Sequence, residues 1–593
     1  MCKIPFFWAI VCILSPNFVK KEPAFTLPKF RTSFLVLLIF LAASPLYAQT
    51  FSEKNYPQNY FQWPVGAAIG LAANFGELRP NHWHMGLDCR TDQTENRPIY
   101  AAADGYIAKV KIEPYGFGRC IYINHPNGLT TLYAHLNAFE PVIEKYITQQ
   151  QYNLEKWKIF IDIPANLFPV KKGDYIAASG NTGGSQGPHL HFEIRDTKSD
   201  KCLNPLLFGF PLQDNIAPDI LRLAVYDRTI STYSQTPKIY PLRKVNGVYE
   251  PADGRIIAPA DNVSFAITAY DRYTGSTNQN GIYAAAVFDN DTRISSFELD
   301  SISYDETRYM NAHVDHQLRA RGGSWVQHLS PLPGYNAGIY KTDANNGVVS
   351  MNDTAHTIKI IVADANGNNS SVNFTLAAPV IKIPRSDATG PQKFIPGYVN
   401  IFDNNFVKFW LPENALYDTV HFVVKETPSA DGKNIYQLHN AAVPVHPYFK
   451  VNIRDNPVIA DTGRVVIKRF YGSKTDFKKA IYKNGFYSAS FREFGNFQLV
   501  TDNAPPSVVP VGFRDGMNTS GLRRILFAVK DNTEEIENFT GLLDGKWLRF
   551  SNDKARNFIY VFDEHCPPGQ HELKITVTDQ VGNKTERTYN FTR

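Results

Sequence analysis

Pro188-His189-Leu190-His191-Phe192-Glu193-Ile194 is the stretch on which the reading of this chain turns. Residues two apart on a β-strand share a face, so His189 and His191 point one way while Leu190 and Phe192 point into a core. A second cluster, His84-Met85-Gly86-Leu87-Asp88, offers an imidazole nitrogen and a carboxylate oxygen, both good zinc donors. A third histidine, His135, lies in Leu132-Tyr133-Ala134-His135-Leu136, where Tyr133 and His135 are expected to share a strand face. A catalytic zinc commonly takes three protein ligands and keeps a fourth position for water. These segments supply three ligands with two histidines left over. No CxxC pair exists, which argues against a cysteine-built zinc site.

Around these clusters the chain reads as antiparallel β. Asp104-Gly105 separates Ile99-Tyr100-Ala101-Ala102 from Tyr106-Ile107-Ala108-Lys109-Val110, and Asn127-Gly128 separates Ile121-Tyr122-Ile123 from Leu129-Thr130-Thr131-Leu132-Tyr133. Both are hairpin patterns. Val170-Lys171-Lys172-Gly173-Asp174 leads into a further strand, Tyr175-Ile176-Ala177-Ala178. One stretch departs from the pattern. Val142, Ile143, Tyr146 and Ile147 fall at helical spacing within Pro141–Tyr152, and Trp157–Ile163 then reads as a strand. This insertion is expected to form a wall beside a cleft.

After Asp214-Asn215-Ile216-Ala217-Pro218-Asp219 the character changes, and short alternating strands recur between Asn, Asp, Gly and Pro turns to Arg593. Val263–Tyr270, Thr357–Ala363 and Glu572–Thr578 are examples. Many short strands with regular turns predict β-sandwiches. Two of the strands end in similar phrases, Asp364-Ala365-Asn366-Gly367-Asn368 and Asp579-Gln580-Val581-Gly582-Asn583, which suggests related immunoglobulin-like modules. The expected organisation is a leader over 1–48, a catalytic β domain over 49–212, and β-sandwiches over 213–379, 380–503 and 504–593. The fold class is therefore mainly β.

Lys29 and Arg31 precede an apolar run from Phe34 to Ala43, and Leu46-Tyr47-Ala48 leads into the polar Gln49-Thr50. A basic flank, a short apolar core and a small residue before a polar start predict a secretory signal peptide. The run is far short of the roughly 20 residues of a membrane-spanning helix. Five basic residues and one acid fall in residues 1–48, a net of +4 out of the chain's +5, so the rest is near +1. Nothing in that balance predicts nucleic-acid binding. An exported location in the periplasm or cell envelope follows, with no integral membrane segment in the mature chain. Cys89, Cys120, Cys202 and Cys566 remain after the leader, and an oxidising compartment leaves open a disulfide from Cys89 to Cys120 or Cys202.

The order of the motifs is more specific than any one of them. Phe75-Gly76 with Arg79, His84-x-Gly86-x-Asp88, Ala101-Ala102-Ala103-Asp104-Gly105, Tyr133-Ala134-His135-Leu136 and Ser179-Gly180-Asn181-Thr182-Gly183 through Gly187-Pro188-His189-Leu190-His191-Phe192-Glu193 succeed one another. In this the segment 49–211 resembles the lysostaphin/LytM-type zinc endopeptidases. The resemblance implies the duplicated hybrid motif of that fold and Zn2+ as the cofactor. It implies His84, Asp88 and His191 as the metal ligands and His135 and His189 as catalytic residues beside them. Metal-assisted hydrolysis of peptide bonds in peptidoglycan is the implied activity. Envelope proteins are possible partners of the sandwiches. The alternative is a non-catalytic wall-binding regulator that activates other wall hydrolases, but such relatives are recognised by missing ligands, and this chain keeps all of them. Tyr133, Asn181 and Glu193 are candidates for contacts to the ligands or substrate. His82 is an alternative to His84, and Cys89 a conceivable further donor, but the register of Gly86 and Asp88 favours His84.

Overall fold

The computed structural model describes residues 50–593 apart from 53–54, 353, 379–391, 431, 455–458 and 556. The leader, its cleavage site and the expected boundary near 380 lie outside the described residues. Among the described residues no helix is long and apolar enough to cross a membrane.

The chain is mainly β, with a unit of one large and two small sheets first and further β-sheet units after it. In the first unit the main sheet runs, strand beside strand, Leu71–Ala73, Leu87–Arg90, His189–Asp196, Leu129–Ala134, Arg119–Asn124, Gly105–Ile112 and Ile159–Asp162. A three-stranded sheet of Pro98–Tyr100, Tyr175–Ser179 and Leu136–Phe139 and a two-stranded one of Leu78–Arg79 and His82–Trp83 complete the unit. The alternation predicted for the histidine strand is present: Leu190, Phe192 and Ile194 are fully buried in the apolar core. The Asn127-Gly128 hairpin is also present, with Ile121 opposite Tyr133.

The Asp104-Gly105 hairpin is not. Pro98–Tyr100 pairs with Tyr175–Ser179 and Gly105–Ile112 pairs with Arg119–Asn124, so the chain crosses here from one sheet to the other. Glycine is required for a packing reason. A Cβ on Gly105 would stand 2.3 Å from the Asn124 carbonyl oxygen.

The inserted helix spans Pro141–Leu154 and buries Ile143, Ile147 and Gln151. Its start is fixed by Pro141 and by Glu140, whose carboxylate accepts the Val142 and Ile143 amides. The strand that follows, Ile159–Asp162, lies at the edge of the main sheet against Gly105–Ile112.

One continuous apolar core runs from Phe61 through Leu376 and on to Tyr417, across the first unit and the sheets that follow. Cys202–Leu203 pairs with Ser301–Ile302, joining the two by main-chain hydrogen bonds. Asn74 and Gly281 add a reciprocal pair, Asn74 Nδ2 donating to the Gly281 carbonyl at 2.8 Å and the Gly281 amide to Asn74 Oδ1 at 2.9 Å. Separate cores follow, one from Phe394 to Leu499 and one from Phe513 to Phe591. The strands expected at Val263–Tyr270, Thr357–Ala363 and Glu572–Thr578 are found as Asn262–Tyr270, His356–Ala363 and Gln570–Asp579.

Cys89, Cys120, Cys202 and Cys566 are all free, buried thiols. No disulfide links Cys89 to Cys120 or Cys202. Cys89 faces Leu190 across the sheet and packs in the apolar core, on the face away from Asp88, which removes it as a donor.

Candidate active site

Register places the first two groups. Asp88 lies directly opposite His191 on neighbouring antiparallel strands, and directly opposed residues bring their side chains together. His84 arrives from the loop before the Asp88 strand. Its Nδ1–H donates to the Asn74 carbonyl at 2.7 Å, which turns Nε2 inward. His191 is turned in the same way, its Nε2–H donating to Glu193 Oε1 at 2.8 Å.

Three acceptor atoms therefore converge. His84 Nε2 is 2.9 Å from Asp88 Oδ1, His191 Nδ1 is 3.1 Å from that oxygen, and the two nitrogens are 3.0 Å apart. All three residues are buried. Lone pairs facing one another at this range repel unless positive charge lies among them. The same field draws a proton to His191: burial opposes it, but Asp88 and Glu193 push its pKa up to about 9. Burial would raise Asp88, yet the charge of His84 and hydrogen bonds from His189, His191 and His84 hold its carboxyl well below the usual range. Two imidazoles and a carboxylate with their other atoms engaged are a donor set suited to zinc.

The remaining contacts of this trio fix its orientation. Asp88 Oδ2 accepts from Arg79 at 2.5 Å. Glu193 is fully buried and accepts at Oε2 from Arg195 Nε at 2.6 Å and at Oε1 from the Tyr304 hydroxyl at 2.6 Å. Burial would raise its pKa, but Arg195, His191 and Tyr304 lower it to about 2. Gly86 is where the His84 loop passes closest to this strand. A Cβ there would stand 2.4 Å from the Phe192 carbonyl and 3.1 Å from His191 Cε1.

His135 and His189 stand beside the trio, their rings 4.8 Å apart, with His135 5.9 Å from His191. His189 Nδ1–H donates to the Gly187 carbonyl at 2.8 Å, leaving Nε2 3.3 Å from Asp88 Oδ1. His135 Nδ1–H donates to the Thr182 carbonyl at 2.8 Å. Burial, then His189 and His191, depress the His135 pKa to about 3, so its ring is neutral through the physiological range.

All five histidine and aspartate positions singled out in the sequence are brought together, and His82 is not among them: it is exposed, with Nδ1 on the Pro80 carbonyl at 2.9 Å. Tyr133 does not join them. The strand ends at Ala134 and His135 adopts φ +62°, so the two do not share a face. Tyr133 lies opposite Phe192, and its hydroxyl is held in the core by the Ala102 amide at 2.8 Å and Thr131 at 3.0 Å. Asn74, Tyr304 and Arg195 went unnoticed in the sequence; Tyr304 is 111 residues from Glu193 along the chain.

The C-terminal β unit also reaches this site. Lys554 Nζ donates to Asn181 Oδ1 at 3.1 Å and to the Ser185 carbonyl at 2.7 Å, and the Gly183 amide donates to Asp553 Oδ1 at 2.8 Å. Asn181, a candidate for contact to the ligands or the substrate, is thus engaged by Lys554. On the inserted helix, Tyr152 stacks on His565 at 3.7 Å and meets Trp547 edge-on at 5.2 Å. The insertion serves as a docking ledge for the C-terminal unit.

The family model Peptidase family M23 matches residues 82–152 and 168–205, and a Zu5-like domain model matches 392–502. A DD-carboxypeptidase/endopeptidase, Mpg, of Neisseria meningitidis serogroup B is 35% identical over 22% of this chain and 23% of its own length. The peptidoglycan DD-endopeptidase ShyA of Vibrio cholerae serotype O1 is 31% identical over 26% of this chain and 33% of its own. This chain therefore spans about a quarter to a third of those relatives. The catalytic domain of lysostaphin from Staphylococcus simulans is 22% identical over 24% of this chain and 91% of that domain, with a TM-score of 0.18.

Proposed function

From the match of residues 82–152 and 168–205 to the Peptidase family M23 model, the lysostaphin/LytM-type family, we propose that this chain is an exported zinc metalloendopeptidase that hydrolyses peptide bonds in peptidoglycan stem peptides or cross-links. The observation that carries the reading is the convergence of His84 Nε2, Asp88 Oδ1 and His191 Nδ1 within 3.1 Å of one another, each with its remaining atoms already engaged. These three residues would hold the metal. Bound there, zinc supplies a Lewis acid that polarises a carbonyl and acidifies water at neutral pH.

The residues around it do the rest. His135, with Nδ1–H fixed on the Thr182 carbonyl, has Nε2 left to accept the proton of the attacking water. His189, with Nε2 turned toward the trio, is positioned to hydrogen-bond the oxygen of the bond being cut or to return a proton to the leaving amine. Glu193, Arg195 and Tyr304 hold the His191 ring at one angle.

The proposed modules are the peptidase over 49–212 and immunoglobulin-like sandwiches over 213–379, 380–503 and 504–593, after a signal peptide over 1–48. The sandwiches position the peptidase and offer surfaces to envelope partners. Digestion of isolated sacculi by the chain from Gln49 onward, beside His191→Ala, tests the activity. Muropeptides released by the first protein and not by the second support it; equal release by both, or release from neither while a panel of envelope proteins is cut, refutes the wall substrate.

A further inference from the structure

Two groups of carboxylates, each with two buried aspartates and one half-buried, lie away from the histidine site, and their chain segments are arranged alike. Asp214, Asp271 and Asp364 form one, Asp502, Asp531 and Asp579 the other. In each, one oxygen per residue lies within 4.8 Å of the other two. Asp214 and Asp502 open the similar phrases Asp214-Asn215-Ile216-Ala217-Pro218 and Asp502-Asn503-Ala504-Pro505-Pro506, at the entrance to a β unit. Asp271 and Asp531 each follow directly on a strand, Asn262–Tyr270 and Arg524–Lys530. Asp364 and Asp579 begin the two turns that end in Gly-Asn.

The hydrogen bonds repeat too. Asp364 Oδ1 accepts the Asn366 and Asn368 amides, and Asp579 Oδ1 the Val581 and Asn583 amides, all at 2.9 Å. Asn368 Nδ2 donates to Asp364 Oδ2 and to the Asp214 carbonyl; Asn583 Nδ2 donates to Asp579 Oδ2 and to the Asp502 carbonyl. The same three pieces of chain are thus tied together twice.

What this tying does not satisfy is the middle carboxylate. Asp271 is 1% exposed, and neither of its oxygens has a partner at hydrogen-bonding geometry. Asp214 and Asp531 are half-buried, and each has one buried oxygen without a partner, Asp214 Oδ2 and Asp531 Oδ1, while Asp214 Oδ1 accepts the Ile216 amide and Asp531 Oδ2 the Thr533 amide and hydroxyl. Asn280, bonded to Asp271 through both main-chain amides, is 3% exposed with both amide atoms of its side chain unpartnered. Paired residues across such a bridge carry their side chains on one face. Burial and the charges of Asp364 and Asp214 push the Asp271 carboxyl up to about 8, the Arg272 amide relieving it little. A buried, unpaired carboxylate is costly unless it is paired or coordinates a cation.

We propose that each cluster binds a calcium ion, which ties the incoming linker to the strand end and the Gly-Asn turn and so fixes the β unit on the segment that precedes it. The donors are all oxygens with a carboxylate from each of three chain segments, the ligand type hard cations take; calcium tolerates irregular, many-liganded sites where magnesium demands a near-octahedral one. The second cluster sets the seat of the C-terminal unit, whose Asp553 and Lys554 hold the Gly183–Ser185 loop. The inference stands on these aspartates and is independent of the peptidase reading.

The test is calcium content and melting temperature of the chain from Gln49 to Arg593, stripped with chelator and titrated with calcium chloride alone. Two calcium ions per chain and a rise in melting temperature of several degrees are expected, with magnesium at equal concentration giving a smaller rise. Asp271→Asn and Asp531→Asn should each lose one ion. Because each replaces a carboxyl whose charged form is disfavoured by burial, each should melt no lower than the wild type in chelator. No bound calcium and no thermal shift in the wild type overturns the proposal, and so does a double variant that binds as much as the wild type. If a variant does not fold, the wild-type titration decides alone.

Discussion

The Tyr304 hydroxyl donates to Glu193 Oε1 at 2.6 Å, so a side chain from beyond the peptidase segment reaches the carboxylate that orients His191. Removing that hydroxyl leaves Glu193 with Arg195 and one fewer donor. Tyr304→Phe should lower zinc affinity by about tenfold, the lower end for partners of a metal-bound histidine, with far-UV circular dichroism unchanged. Competition with a chromogenic chelator measures it, and an unaltered affinity would detach the Tyr304 segment from the site.

Gly86 is the tightest approach in the ligand cluster. A side chain there must push on the Phe192 carbonyl at 2.4 Å and on Glu193 Cγ at 2.9 Å. Gly86→Ala should cost about 1–3 kcal/mol of stability, the usual penalty of overpacking, and displace His191. Denaturant titration and metal content check the two effects together.

His313 and His328 make stability pH-dependent away from the site. Burial lowers His313 to about 4; burial, then Arg228 and His313, lower His328 to about 3. The unfolded chain takes up these protons near pH 6.5, the folded chain only well below it. Their contribution is therefore present above pH 6.5 and is lost as pH falls toward 4, at about 1.4 kcal/mol per pH unit for each group. Melting temperature should fall over that window, and His328→Gln should flatten the fall. A parallel decline in both proteins would place the effect elsewhere.

Lys554 holds the loop that leads into the His189 strand through Asn181 and the Ser185 carbonyl. A hydrogen bond to a charged group is worth about 1.5–3 kcal/mol, so Lys554→Ala should speed amide exchange across residues 181–187 by about tenfold or more. Exchange followed by mass spectrometry reads this directly. Unchanged protection would mean that the loop is held by the peptidase segment alone.

Much of this was legible in the sequence because β alternation is a two-residue rule. His189 and His191 sharing a face, with Leu190 and Phe192 inward, required nothing beyond the strand itself. Where local pattern failed, tertiary structure had intervened. Asp104-Gly105 looks like a hairpin turn but carries the chain between sheets, and its glycine answers to the Asn124 carbonyl. Tyr133 and His135 would share a face only on an unbroken strand, and His135 breaks it at φ +62°. Tyr304 and Asn74 carry no local signal at all, since their roles exist only once distant strands meet. The similar turns at Asp364 and Asp579 were visible as a repeat, but the aspartates facing them from other segments were not.

The most direct test is the zinc content, measured beside sacculus digestion, of five single alanine variants of the chain from Gln49 onward. His84→Ala, Asp88→Ala and His191→Ala should lose both the metal and the activity. His135→Ala and His189→Ala should keep one zinc per chain while activity falls by about a hundredfold or more, the range for loss of a general acid or base. Zinc retained by the first three, or lost equally from all five, would contradict the division of roles on which the account stands.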